Sequence, residues 1–93
     1  MIVSFGSKQT RQIWEGKPVR GLPLEIQHLG RRKLIMLDSS DTLNDLKIPP
    51  SNRLEKLSGK LNSLYSIRIN RQWRIVFQWT KGIASDVQIL DYH

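Results

Sequence analysis

The residues with the clearest chemical potential lie in the C-terminal third of the chain: Arg68, Arg74, Asp91, Tyr92 and His93. Arginine carries a permanent planar charge that matches phosphate oxygens and can stabilise the added negative charge of a pentavalent transition state. His93 could act as a general acid or base near neutral pH, and a nearby Asp91 carboxylate favours its protonated form. Tyr92 could assist or stack on a base. Because RNA supplies its own 2′-hydroxyl nucleophile, this group could cleave RNA without a metal.

A predicted β-hairpin would bring the two arginines together. Alternating apolar residues, which are typical of half-buried antiparallel strands, occur at Tyr65, Ile67, Ile69, Trp73, Ile75, Phe77 and Trp79. A turn at Asn70-Arg71-Gln72 places Ile67 opposite Ile75 and therefore Arg68 opposite Arg74. Because facing like charges are unfavourable, this pair predicts either a well-solvated face or a bound anion.

A last strand, predicted from Asp86 to Tyr92, would complete the cluster. Its apolar residues match those of the hairpin when Val87 lies opposite Phe77 and Ile89 lies opposite Ile75. The same register sets Leu90 against Arg74 and Tyr92 against Gln72. It therefore predicts that the segment 91–93 lies at the hairpin-turn end, close to the arginines.

The elements that must support this sheet come earlier in the chain. Residues 2–5 form a candidate strand, Ser7 can cap a helix from Lys8 to Glu15, and a proline-containing linker precedes a second helix from about Leu24 to Asp38. The second helix has an apolar arc formed by Ile26, Leu29, Leu34, Met36 and Leu37. Gly30 and Lys33 fall within that arc, where we expect close backbone approach at the glycine and a lysine that extends along its stem towards solvent.

The segment between the second helix and the hairpin is predicted to change from helical to extended. A single helical turn is expected at 42–46, followed by a short strand over 52–59 with Leu54 and Leu57 as anchors and a polar loop over 59–63. The complete pattern predicts one α+β domain, residues 1–93, in which two N-terminal helices pack on a small, mainly antiparallel twisted sheet.

Composition narrows the possible functions. The chain has 93 residues, 39% hydrophobic content, a net charge of +7 and a pI near 10.3, which favour one small domain that binds a phosphate polymer or an acidic partner. It contains no cysteine, which excludes disulfides, thiolate zinc sites and a cysteine nucleophile. Its histidines, His28 and His93, do not suggest a metal site, and no cofactor motif is present. The longest apolar block, 34–37, is too short to span a membrane, so a cytoplasmic protein is expected.

Simpler interpretations compete with each of these assignments. Paired strand arginines are often solvated surface charge, and a terminal histidine is often part of a frayed end. The regular alternation of Trp73, Phe77 and Trp79 is more typical of core residues than of a base-stacking platform.

Several segments together closely resemble HigB-type toxins of the RelE/ParE superfamily of bacterial toxin-antitoxin modules. They are Asn52-Arg-Leu-Glu-Lys-Leu-Ser-Gly, Ser66-Ile-Arg-Ile-Asn-Arg-Gln-Trp-Arg-Ile-Val-Phe and Val87-Gln-Ile-Leu-Asp-Tyr-His. The resemblance implies two helices on a small antiparallel sheet. It also implies a ribosome-dependent endoribonuclease that cleaves mRNA in the 30S decoding site and arrests growth. Its partner would be a HigA-type helix-turn-helix antitoxin, through which alone it would contact operator DNA.

The resemblance also implies roles for individual residues. Arg74 would stabilise the transition state, Asp91, Tyr92 and His93 would form the catalytic C-terminal group, and Arg68 would contact phosphate. Further RNA contacts are expected from the basic residues Arg53, Lys56, Lys60 and Arg71.

The chain departs from some HigB toxins in the strand before the hairpin. Those toxins have a histidine and a lysine where this sequence has Glu55 and Ser58. Glu55 could still act as a general base, and Lys56 or Lys60 could replace the lost phosphate contact. The departure favours a weaker toxin.

Two other functions remain open at the level of sequence. The first is a ParE-like toxin that inhibits DNA gyrase on the same scaffold without cutting nucleic acid. The second is a non-enzymatic basic RNA-binding protein whose affinity depends mainly on charge and salt.

Overall fold

The computed structural model describes residues 1–57 and 64–91. Its helices are α1 (Lys8–Trp14) and α2 (Leu24–Ser39), its 3₁₀ helices are Leu43–Lys47 and Pro50–Asn52, and its strands are β1 (Glu55–Lys56), β2 (Leu64–Arg68), β3 (Trp73–Thr80) and β4 (Ile83–Asp91). The strands form one sheet in the order β1-β2-β3-β4, and each neighbouring pair is antiparallel. This arrangement confirms the predicted α+β class. Within the described residues, no helix is long and apolar enough to cross a membrane.

The hairpin formed by β2 and β3 has the predicted register. Ile67 pairs with Ile75, and Arg68 pairs with Arg74. The turn closes through Asn70, whose side-chain oxygen accepts hydrogen bonds from the backbone N–H groups of Gln72 and Trp73, each at 2.8 Å. An asparagine that bonds its own downstream backbone is a common way to fix such a turn. This turn therefore fixes which residues share each face of the sheet.

The last strand is longer than predicted and contains a bulge. It begins at Ile83, and its pairs Ile75–Ile89 and Arg74–Leu90 confirm the expected register at the turn end. Between the pairs Val76–Gln88 and Gln78–Ser85, two residues of β4 lie against one residue of β3. One of them, Asp86, has a φ of 51°, a left-handed conformation that fits the bulge. The predicted pair Tyr92–Gln72 lies outside the described residues.

The N-terminal segment covers the outer edge of β4. The predicted strand over 2–5 is reduced to two parallel bridges, Ile2–Ala84 and Phe5–Val87. Further along the same edge, the hydroxyl oxygen of Thr10 in α1 accepts a hydrogen bond of 3.0 Å from the Ile89 backbone N–H. Ser7 caps α1 as predicted, because its side chain accepts from the Thr10 N–H. Backbone groups that would otherwise leave β4 as an open edge are thus paired.

Helix α2 packs its apolar side on the sheet, where the fully buried core includes Leu34, Leu37, Ile67, Ile75, Phe77 and Val87. Trp79 is buried and Trp73 packs against this core, which confirms their expected structural role. A Cβ on Gly30 would lie 3.1 Å from Cδ1 of Ile89 and 3.5 Å from Cδ1 of Ile69. The close approach at Gly30 is therefore between helix backbone and strand side chains, whereas backbone-to-backbone approach was expected.

The segment between α2 and the hairpin is less extended than predicted. The expected turn at 42–46 is the 3₁₀ helix Leu43–Lys47, which begins with a capping box formed by Thr42 and Asp45. Within the described part of the expected strand over 52–59, only Glu55–Lys56 is extended, because Asn52 is the buried end of a 3₁₀ turn and Arg53 is left-handed, with φ 44° and ψ 58°. The expected loop over 59–63 lies outside the described residues.

Candidate active site

The candidate site lies on the sheet face opposite the apolar core. Alternation along β2 and β3 directs Ser66, Arg68 and Arg74 to this face, which we call the open face. Glu55 joins them because it pairs with Ser66 across β1 and β2. Short-range strand pairing therefore places a carboxylate, a hydroxyl and two guanidinium groups on neighbouring strands.

Arg74 is fixed by several contacts with distant parts of the chain. Its Nε donates to the Ser66 Oγ at 3.0 Å, and its Nη2 donates to the Arg53 backbone oxygen at 2.8 Å. Nη2 also lies 3.6 Å from the Glu55 Oε1. The residue is only 9% exposed, so the interpretation of Arg74 as a solvated surface charge is wrong. Burial of a guanidinium requires hydrogen-bond acceptors, which the hydroxyl, carbonyl and carboxylate provide.

Glu55 stands between this buried cation and solvent. Its side chain is 52% exposed, whereas that of Arg74 is 11% exposed. A carboxylate in this position has one side against the guanidinium and another open to an incoming molecule. It can accept a proton from a hydroxyl group that is bound over the face.

The other cationic residues are distributed unequally about the open face. Arg68 is half-buried and faces Arg74, while Arg71 is exposed in the hairpin turn and Arg53 is exposed beside β1. Lys56 is also exposed, but it pairs with Tyr65, whose ring lies 6.3 Å from the core ring of Phe77. Strand alternation therefore directs Lys56 away from Glu55 and towards the opposite face.

Asp91 lies at the hairpin-turn end, where the sequence placed it. It pairs with Trp73, as the predicted register requires, and its Oδ2 accepts a hydrogen bond of 3.1 Å from the Gln72 Nε2. Asp91 therefore lies one residue away from the β4 position that pairs with Arg74. The remaining predicted site residues, Tyr92, His93 and Lys60, lie outside the described residues, as does Ser58.

Sequence reasoning missed the contacts of three residues: Ser66, which accepts a hydrogen bond from Arg74, and Asn52 and Lys33, which bond to each other. Ser66 could have been found from the register, because alternation places its side chain on the same face of the sheet as those of Arg68 and Arg74. Asn52 is fully buried, and its Oδ1 accepts a hydrogen bond from the Lys33 Nζ. Burial lowers the pKa of Lys33 below its ordinary value. The contact between Asn52 and Lys33 depends on tertiary packing that no local pattern shows.

The arrangement of two helices behind a four-stranded antiparallel sheet is also found in solved structures. The YoeB-YefM complex from Staphylococcus aureus aligns with a TM-score of 0.62 at 19% identity, covering 100% of this chain and 98% of the other. YafQ from E. coli strain BL21(DE3) aligns with a TM-score of 0.57 at 9% identity, covering 98% and 93%. At these identities the comparisons establish the fold.

Sequence comparison is more specific. The family described as "RelE-like toxin of type II toxin-antitoxin system HigB" matches residues 3–93. Toxin HigB-1 of Vibrio cholerae serotype O1 (strain ATCC 39315 / El Tor Inaba N16961) is 42% identical over 94 residues, which cover 100% of this chain and 98% of that protein. The chain therefore belongs to the HigB-like toxin family, which confirms the resemblance seen in its motifs. Endoribonuclease HigB of Proteus vulgaris is 28% identical over 93 residues and 100% of both chains.

Proposed function

We propose that this toxin is an endoribonuclease that cleaves mRNA in the 30S decoding site and so inhibits translation and growth. The observation that carries the proposal is the Arg74 guanidinium, which Ser66 and the Arg53 carbonyl hold beside the Glu55 carboxylate. A cation fixed before substrate binds can stabilise developing charge with little reorganisation. The activity in the name of the Proteus vulgaris relative supports the same reaction class.

In the proposed reaction, the 2′-oxygen of one nucleotide attacks the adjacent phosphorus and the bond from phosphorus to the next 5′-oxygen breaks. Glu55 accepts the 2′-hydroxyl proton, and His93 protonates the departing 5′-oxygen. Arg74 stabilises the charge that develops on the phosphoryl oxygens. Tyr92 and Asp91 assist this transfer. The products are a 2′,3′-cyclic phosphate and a 5′-hydroxyl, and the reaction requires neither a metal nor a cofactor.

The proposed RNA path runs over the open face, with Arg68 at its centre and Arg53 and Arg71 at its sides. Lys60 is proposed as a further RNA contact. Lys56 is assigned to the margin of the path, because its side chain is directed to the other face of the sheet. With a net charge of +7, the chain is suited to a polyanion. Burying Arg74 while leaving Glu55 accessible favours precise positioning at one phosphate over uniform surface binding.

The proposed regulator is a HigA-type helix-turn-helix antitoxin, and any contact with operator DNA is made through it. The fold neighbours include a heterotetrameric YoeB-YefM toxin-antitoxin complex from Staphylococcus aureus, which supports an antitoxin partner for this toxin. Because the proposed substrate is ribosome-bound mRNA, the cytoplasm is the compartment in which the toxin acts.

The direct test is to incubate the toxin with mRNA-programmed ribosomes, map the new RNA ends and determine their chemistry. We expect cleavage only in the presence of ribosomes, with 5′-hydroxyl ends produced by 2′-hydroxyl attack. Fragments with 5′-phosphate ends would contradict the metal-free route. Intact mRNA together with blocked gyrase supercoiling would instead support a ParE-like toxin.

A matched pair of variants assigns the cleavage to the open face. Arg74→Lys should remove most of the activity, whereas Arg32→Lys makes the same chemical change at an exposed position of α2 and should leave it unaltered. Equal cleavage by both variants would show that the open face is not the active site.

A further inference from the structure

We propose that Asn52 and Lys33 are positioning residues for Arg74. They hold the turn that carries the Arg53 carbonyl, and that carbonyl fixes the guanidinium of Arg74. The effect on cleavage rests on the proposed function, but the effect on the geometry of Arg74 can be measured without RNA.

The first step in this chain of contacts is the unusual backbone of Arg53. The residue follows the 3₁₀ helix Pro50–Asn52 and has the left-handed angles φ 44° and ψ 58°. A residue with a Cβ adopts this conformation at an energetic cost, so the surrounding structure must hold it there. Its conformation directs the carbonyl oxygen to within 2.8 Å of the Arg74 Nη2. A relaxed turn would move this oxygen and loosen the guanidinium.

The second step is the side-chain amide of Asn52, the residue immediately before Arg53. Asn52 is 0% exposed. Its Nδ2 donates to the Leu46 backbone oxygen at 3.0 Å and lies 3.4 Å from the Ile48 oxygen. The same nitrogen lies 3.1 Å from the Met36 Sδ. One amide thus joins α2 and the segment 46–48 to the turn that presents Arg53.

The third step is Lys33, which donates from Nζ to the Asn52 Oδ1. This contact fixes the orientation of the amide, because an oxygen faces Lys33 while the nitrogen faces the backbone carbonyls. Lys33 is on the sheet-facing side of α2, where its charge is partly desolvated. Through Asn52, Lys33 connects α2 to the turn that presents the Arg53 carbonyl. Lys33 does not touch the proposed reacting atoms and acts through Asn52.

The inference can be tested first by NMR, on the protein without RNA. Lys33→Met keeps the apolar stem but removes the donor, and Arg32→Met provides the matched control at an exposed neighbouring position. We expect Lys33→Met to accelerate guanidinium rotation and Nε–H solvent exchange at Arg74 severalfold, with no change in Arg32→Met. Unaltered rates in a folded Lys33→Met protein would overturn the inference.

A second variant separates anchoring from simple loss of a lysine. Asn52→Asp keeps an acceptor for Lys33 but replaces the Nδ2 donor with an oxygen that faces the Leu46 and Ile48 carbonyls. We expect it also to mobilise the Arg74 guanidinium. If Asn52→Asp leaves the Arg74 signals unchanged while the protein is folded, the amide does not hold the turn and the inference is wrong.

A double-mutant cycle then tests the effect on cleavage. Lys33→Met should lower kcat by up to about 100-fold, since small misplacements of a catalytic group can have effects of that size. KM for the programmed ribosome should change little. In an Arg74→Lys background, Lys33→Met should cause no further loss, because its effect passes through Arg74. Fully additive losses would overturn the inference. Absence of cleavage in the wild type would refute the proposed function. The NMR result would still show whether Asn52 and Lys33 hold the Arg74 guanidinium in place.

Discussion

Arg74 and Ile75 are neighbours in β3, yet they are held by different kinds of interaction. Ile75 is 0% exposed and belongs to the apolar cluster under α2. Arg74 is almost as buried but faces the other way, where its partners are a hydroxyl, a backbone carbonyl and a carboxylate. A single step along the strand thus passes from non-directional packing to directional hydrogen bonding.

This difference determines how each face responds to substitution. Apolar contacts on the helix-covered face depend on volume and can be shared among many neighbours. The contacts of Arg74 depend on particular atoms of Ser66, Arg53 and Glu55, so moving one partner changes the position of the guanidinium. The helix-covered face is therefore expected to control stability, and the open face is expected to control activity.

The largest expected effect is on the helix-covered face. Phe77 is fully buried, with its ring 6.3 Å from that of Trp79, and Phe77→Ala should lower the free energy of unfolding by about 3–5 kcal/mol because it leaves a cavity. Chemical denaturation of Phe77→Ala and Val76→Ala would compare the two faces directly, since Val76 is only half-buried on the open face. A loss below about 1 kcal/mol for Phe77→Ala would contradict the assignment of this face as the stabilising core.

The second prediction concerns the open face. Arg74→Lys keeps a positive charge but cannot reproduce both the Nε bond to Ser66 and the Nη2 bond to Arg53. Single-turnover cleavage on programmed ribosomes should fall by about 100- to 1,000-fold, the size expected when a transition-state donor is removed. The unfolding free energy should fall by only about 1–3 kcal/mol, the cost of unsatisfied buried partners. A folded variant with wild-type cleavage would refute the role of Arg74.

Most of the helix-covered face could be predicted from the sequence. Period-two alternation gave the register that pairs Ile67 with Ile75 and Ile75 with Ile89, because a one-residue slip would expose these side chains. Helical periodicity identified Ile26, Leu34 and Leu37, but it missed the buried Gln27. That side chain bonds the Val19 backbone N–H and oxygen in the linker, and such a contact has no periodic signal.

The open face could be predicted only in part. The alternation of residues along β2 and β3 placed Arg68 opposite Arg74. From that pairing alone, we expected the two arginines to share a solvated face or to bind an anion. The actual environment of Arg74 comes from Arg53 and Glu55, which precede β2 and reach the site through a left-handed turn and a two-residue strand. Those elements are too short to show periodicity, so their contacts cannot be derived from pattern alone.

A third, smaller effect is expected on the binding of RNA to the open face. If Arg68 contacts an RNA phosphate, Arg68→Gln should reduce the salt dependence of RNA binding, with the slope of log K against log salt falling by about 0.7. Arg32→Gln, on the exposed side of α2, should leave that slope unchanged. Binding titrations of a short single-stranded RNA at several salt concentrations provide the measurement. Equal slopes for wild type and Arg68→Gln would place the RNA path elsewhere.

The smallest effect is expected at Asp45, an exposed residue whose hydrogen bonds can be compared with the buried ones of Arg74. The Asp45 carboxylate accepts hydrogen bonds from the backbone N–H groups of Thr42 and Asp41, at 3.0 and 2.9 Å, and these bonds hold the pKa of Asp45 below its ordinary value. A lowered native pKa means that the unfolded chain takes up its proton first as pH falls. The resulting stabilisation is present above about pH 4, the ordinary aspartate range, and is lost as pH falls through the native pKa. Asp45→Asn should therefore be less stable than wild type at pH 7, and thermal unfolding should show the gap closing below pH 4. A gap that stayed constant down to pH 2 would show that the charge of the Asp45 carboxylate contributes nothing to stability at this exposed site.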